Sequence, residues 1–122
     1  MFSLTSSMTY YLYAGPTDMR RSFYTLSGMV TNQMGRNVQD GDVFIFINRR
    51  CNSMKILHME CGGLVIYHMK LESGTFTLPE FDPESHTFIT SWQGLMSMAK
   101  GVATEKISTK KASENTFETP LK

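Results

Sequence analysis

Cysteine is scarce: Cys51 and Cys61 are the two in 122 residues, too few and too irregularly placed for a disulfide framework. An excess of one charge is missing too. Twelve Lys and Arg stand against eleven Asp and Glu, a formal net charge of +1, so the chain as a whole has no polyanion signature. That balance hides a small asymmetry, with seven bases and five acids in 1–79 and five bases and six acids in 80–122. No run approaches the roughly 18–20 uncharged apolar residues of a membrane span. The N-terminus MFSLTSSMTYYLYAG has neither the basic segment nor the long apolar stretch of a secretory signal. A reducing cytoplasm is the expected compartment. No Walker loop, Rossmann glycine fingerprint, Gly-x-Ser-x-Gly elbow or His-Glu-x-x-His occurs, so the expectation is a protein that is no enzyme and holds no cofactor.

What is present suffices for one domain. Hydrophobic residues make up 41% and aromatics 11%, enough for a core without staples at this length. Ten methionines suit adaptable packing. Thr9 to Tyr13 reads as a short strand that Gly15-Pro16-Thr17 breaks. Thr17 is then a natural N-cap, with Asp18 in the first helical turn. Met19, Phe23, Leu26, Val30 and Met34 recur at helical spacing, and Gly35 is a C′ terminator. Gly28 costs that helix roughly 1 kcal/mol relative to Ala, which a close helix–sheet approach would explain.

In DVFIFIN, Val43, Ile45 and Ile47 lie on one side and Phe44 and Phe46 on the other. A strand apolar on both faces is central. MKILHM and LVIYHMK flank Glu60-Cys61-Gly62-Gly63 and read as an antiparallel hairpin. A shorter strand is predicted over Thr75 to Leu78, ended by Pro79, followed by a loop at EFDPES. Thr90 or Ser91 caps a second helix through Trp92, Leu95, Met96, Met98 and Ala99, stopped near Gly101. The order β-α-β-β-β-β-α is an α+β class: one domain over 1–103, a mostly antiparallel sheet with one long helix packed on a face and a short C-terminal helix. Residues 104–122 are polar with few apolar anchors and read as a disordered tail.

Candidate chemistry is sparse. Cys51, His58, Cys61 and His68 have zinc-compatible side chains at Cys-x6-His-x2-Cys-x6-His spacing, without the tight knuckle of structural zinc sites. They read as strand histidines and free thiols, and no metal is expected. Asp18, Asp40 and Asp42 are the only acids flanking elements in the first half. Helix, turn and strand-start roles account for them better than a nuclease centre does.

The basic residues offer more. Arg20 and Arg21 are placed in the first turn of their helix, Arg49 and Arg50 end the central strand, and Lys55 opens the next one. Paired guanidinium forks match phosphate oxygens, and Tyr10, Tyr11 and Tyr13 add surface on which bases can stack. Pairing of Arg20 or Arg21 with Asp18 or Asp42 is the structural alternative. Trp92, Leu95, Met96 and Met98 make a core face or an adaptable partner groove.

Four segments carry a resemblance: GPTDMRRSF at Gly15–Phe23, DVFIFINRR at Asp42–Arg50, MKILHMECGGLVIYHMKLESGTF at Met54–Phe76, and Leu78-Pro79. As a set, over about residues 8–79, they resemble the small accessory protein of bacterial insertion-sequence-sixty-six transposons. That protein is the product of the second open reading frame, often called TnpB and unrelated to the RNA-guided nuclease of the same label. Where Cys51 stands, family members commonly have a further basic residue. The resemblance implies a cytoplasmic accessory factor for transposition of a mobile genetic element, a DNA recombination process, beside a separate, larger transposase. Double-stranded DNA bound without sequence preference, the transposase, or both are the implied partners. Arg20, Arg21, Arg49, Arg50 and Lys55 are the candidate DNA-binding residues. The alternatives are a scaffold for the transposase with no DNA contact and an inactive diverged relic. No oligomeric state follows.

Overall fold

The computed structural model describes residues 4–78 and 87–99. Five strands form one sheet: β1 (Tyr10–Pro16), β2 (Val43–Ile47), β3 (Ser53–Glu60), β4 (Gly63–Lys70) and β5 (Thr87–Thr90), in the spatial order β4-β3-β2-β1-β5. β1 and β2 run parallel, and the other three pairings are antiparallel. Two helices, α1 (Phe23–Asn32) and α2 (Trp92–Ala99), complete the α+β class read from the sequence.

β2 is buried along its whole length. Its alternation works as expected: Val43, Ile45 and Ile47 join one apolar cluster, Phe44 and Phe46 another. The second cluster is closed by Leu26 and Val30 of α1 and by Met34 beyond it. Leu95 and Met98 of α2, with Phe76, close the first. The sheet is therefore covered on both faces, the condition under which a strand has no polar side. Leu95 and Met98 are spent on this core, and Met96 packs against it, so the methionine-rich face of α2 is not an open partner groove.

Several local expectations are corrected. α1 starts six residues after Thr17, behind the N-cap Ser22. Thr17 instead follows the end of β1 and is tied to β2, its N–H donating to Ile47 O at 2.9 Å, and β1 runs on through Gly15 and Pro16. Among the described residues β5 pairs with β1 only as far as Tyr13, so no described strand calls for an N–H from Pro16 on that side. Arg20 and Arg21 consequently sit in the turn before α1 and not in its first turn; Arg21 N–H donates to Asp18 O at 3.1 Å.

The expected strand over Thr75 to Leu78 is not formed. The segment is a strap whose Phe76 N–H donates to Cys51 O at 2.7 Å, burying the Phe76 ring under the sheet. The strand beside β1 is Thr87–Thr90. The element order β-α-β-β-β-β-α thus holds with a different last strand. EFDPES, the stop near Gly101 and the tail 104–122 lie outside the described residues.

Other readings hold. Ser91 caps α2, accepting from Gly94 N–H at 3.0 Å. Gly35 turns left-handed at φ +69°, and Arg36 N–H bonds back to Val30 O, the geometry that ends helices at glycine. β3 and β4 meet across Cys61 (φ +52°) and Gly62 (φ +81°), a two-residue hairpin turn with both residues left-handed.

Gly28 makes no close approach to the sheet: a β-carbon built there meets only Asn32 Nδ2, at 4.0 Å. Gly28→Ala is therefore expected to raise stability by about 0.5–1 kcal/mol. The denaturant midpoint should move up with unchanged slope.

Candidate nucleic-acid interface

The parallel pair β1–β2 ends on one side of the sheet in two cationic segments. After β1 come Thr17, Asp18, Arg20 and Arg21; after β2 come Asn48, Arg49 and Arg50. The Thr17–Ile47 hydrogen bond holds the two segments together. Between them opens a cleft of about 590 Å³, whose lining includes Arg21, Arg49, Arg50, Tyr13 and Thr17. It lies at the carboxyl ends of adjacent parallel strands, where open sheets commonly take ligands.

The arginine turn is rigidly built. Cys51 N–H donates to Asn48 O at 3.0 Å, which places Arg49 and Arg50 at the two central positions of a β-turn. Cys51 follows in the left-handed region at φ +57°. The Asn48 carboxamide fastens the turn from inside: Oδ1 accepts from Asn52 N–H at 3.0 Å and Ser53 N–H at 2.9 Å, and Nδ2 donates to Asn52 Oδ1 at 2.7 Å. From outside, Leu71 N–H, just past the end of β4, donates to Asn52 O at 2.8 Å. Asn48→Ala strips these bonds and leaves two part-buried N–H groups without that acceptor. A loss of about 1–3 kcal/mol is expected, checked by chemical denaturation.

The candidate cations divide. Arg49, Arg50 and Arg21 are exposed, and none has an ion pair among the described residues. Arg20 is committed, its guanidinium gripping the Asp18 carboxylate at 2.6 Å. Hydrogen bonds from the Arg20 side chain and N–H hold the Asp18 carboxyl well below the usual carboxylate range, and Asp18 raises Arg20 in turn. The pair stays ionised and neutral overall, so Asp18 does little to repel an anion at the cleft. Lys55 reaches from β3 to Arg21 O at 2.6 Å. It pins the segment before α1 and adds its charge behind Arg21. The structure thus brings Arg21, Arg49 and Arg50 to one cleft, sets Lys55 beside them, and pairs Arg20 off.

Of the three tyrosines, Tyr10 and Tyr11 are buried in opposite clusters, which removes them as stacking surfaces. Tyr13 lines the cleft. Thr17 is a residue that sequence reasoning missed. It is 3% exposed and lines the cleft, yet its Oγ1 is buried with no hydrogen-bond partner; its cap-like context gave no signal of this.

The metal-type side chains are separated by the strand register. His58 opposes Val65 and His68 opposes Lys55, so the two histidines do not pair across the hairpin. His58 Nδ1 lies 3.3 Å from Asp42 O, and His68 Nε2 lies 2.8 Å from Ser53 Oγ. Cys61 sits exposed at the hairpin turn. Among the described residues no three His, Cys, Asp or Glu side chains gather in a metal-holding group, and no helix is long and apolar enough to cross a membrane.

Two relatives from Sinorhizobium fredii are similar to this chain. Uncharacterized protein y4jC is 30% identical over 64 residues, 52% of this chain and 55% of that protein. Uncharacterized protein y4hO is 29% identical over 69 residues, 57% of this chain and 60% of that protein. The chain thus spans little more than half the length of these curated relatives. No solved structure matches it. The model of the IS66 Orf2-like proteins matches residues 8–109, well past the stretch where the quoted motifs end, and the chain belongs to that family.

Proposed function

We propose that this protein is a non-enzymatic accessory factor for transposition of an insertion-sequence element and that it acts by holding DNA phosphates. Membership of the IS66 Orf2-like family supports the transposition-associated role. The observation that carries the DNA contact is the set of three exposed arginines, Arg21, Arg49 and Arg50, around one cleft, with no carboxylate partner among the described residues. Guanidinium groups in that state are available to phosphate oxygens and read no base sequence. The Asn48 bonds fix the turn before any ligand arrives, which lowers the ordering cost of binding.

The test is the salt dependence of duplex DNA binding by the isolated protein. Phosphate contacts release counterions, so affinity falls steeply and linearly on logarithmic axes. Absence of binding at low salt overturns this reading. It leaves the transposase scaffold in front, for which the exposed Phe23 and Tyr24 at the start of α1 (46% and 93%) are the natural contact surface.

A further inference from the structure

We propose that the cleft receives one unpaired nucleotide of a DNA strand, its phosphate on Arg49, Arg50 and Arg21 and its base against the Tyr13 ring. This rests on the DNA-contact reading above and names the form of DNA that the site prefers.

The arginines ring a concavity, whereas a duplex presents its phosphates on a convex outer surface with the bases stacked inside. A duplex can lay its backbone across the rim, but it cannot fill the interior. The volume of about 590 Å³ falls within the roughly 300–1,000 Å³ of pockets that enclose small organic ligands. A nucleotide taken out of its stack is such a ligand, and proteins that hold one combine a cationic track for the backbone with an aromatic face for the base. Both are on the walls here, and Met19 and Met29 add apolar lining.

The Tyr13 ring is set in place. It packs on Phe46 with centroids 6.2 Å apart and planes tilted by 41°. Gly15 leaves it room, since a β-carbon at that position would stand 3.2 Å from ring carbon Cε2. Thr17 lies on the same wall, with its Oγ1 buried beneath the surface and without a hydrogen-bond partner. The one carboxylate on the lining, Asp18, is neutralised by Arg20.

The experiment compares two fluorescent DNAs by anisotropy at the same salt, a blunt duplex and the same duplex with a short single-stranded extension. The extension should tighten binding about tenfold, the effect of one stacked base. Tyr13→Phe should keep that preference. Tyr13→Leu should abolish it, read as the ratio of the two affinities falling to about one. Because Tyr13 also packs on Phe46, Gly15→Ala, whose β-carbon presses the ring aside by a few tenths of an ångström, should weaken the preference in a variant with the native tyrosine. Equal affinity of the native protein for the two DNAs overturns the inference and spares the phosphate-contact reading. A preference that survives both Tyr13→Leu and Gly15→Ala overturns it as well. No binding to either DNA overturns both.

Discussion

Phe44→Ala should lower the unfolding free energy by about 3–5 kcal/mol. Phe44 is fully buried in β2, stacked on Tyr11 with ring centroids 5.7 Å apart, and packed in the cluster that Leu26 and Val30 of α1 close. Truncation removes the ring's transfer free energy and leaves a cavity that neighbours cannot fill, since β2 is held by hydrogen bonds on both sides. Small domains have about 5–15 kcal/mol of stability in total, so the variant should be partly unfolded well below the native melting temperature. A shift in denaturant midpoint worth less than about 1 kcal/mol would mean that α1 does not pack on β2 as described.

Replacing Arg49 and Arg50 together by alanine should do the opposite, sparing the fold and damaging DNA binding. Both side chains are exposed and free of ion pairs among the described residues, and such substitutions usually stay within about ±0.5 kcal/mol. Charge-assisted hydrogen bonds contribute roughly 1.5–3 kcal/mol each, so the double variant should lose at least about tenfold in affinity at low salt. Its salt slope should flatten by roughly one or two units, about one per lost phosphate contact. Replacing Arg20 and Asp18 together by alanine provides the contrast. They form a pair that is neutral overall, so losing both should cost less affinity than the loss of Arg49 or Arg50. An unchanged slope in the double variant, with DNA still bound, would place the contact on another surface.

The parts legible from sequence were those with local causes. β2 announced itself because both parities of VFIFI are apolar, and the β3–β4 hairpin because Cys61-Gly62 supplies left-handed turn residues between two β-rich runs. The errors came where a local signature competed with a tertiary one. Thr17-Asp18 looks like a helix start, but the Thr17 N–H is taken by Ile47. The alternation in Thr75 to Leu78 looks like a strand, yet Phe76 is an anchor for a strap. Thr87–Thr90 is a four-residue run of β-favouring Thr, Phe and Ile, too short to stand out, and its place beside β1 comes from pairing. The candidate site divided in the same way. Arg49 and Arg50 were legible as a pair, while the cleft and the roles of Arg21, Thr17 and Tyr13 depend on β1 lying parallel to β2.

That parallel pairing has a consequence for dissecting the protein. β2, β3 and β4 follow one another through short turns, but β1 reaches β2 only through the crossover 17–42. The two walls of the cleft are therefore made by stretches of chain on opposite sides of a helix. A fragment beginning at Asp42 would contain every residue that makes the arginine turn and the Asn48 hydrogen bonds within it. It would lack Tyr13, Thr17 and Arg21. Such a piece could touch a phosphate, but it would have no interior to offer a base.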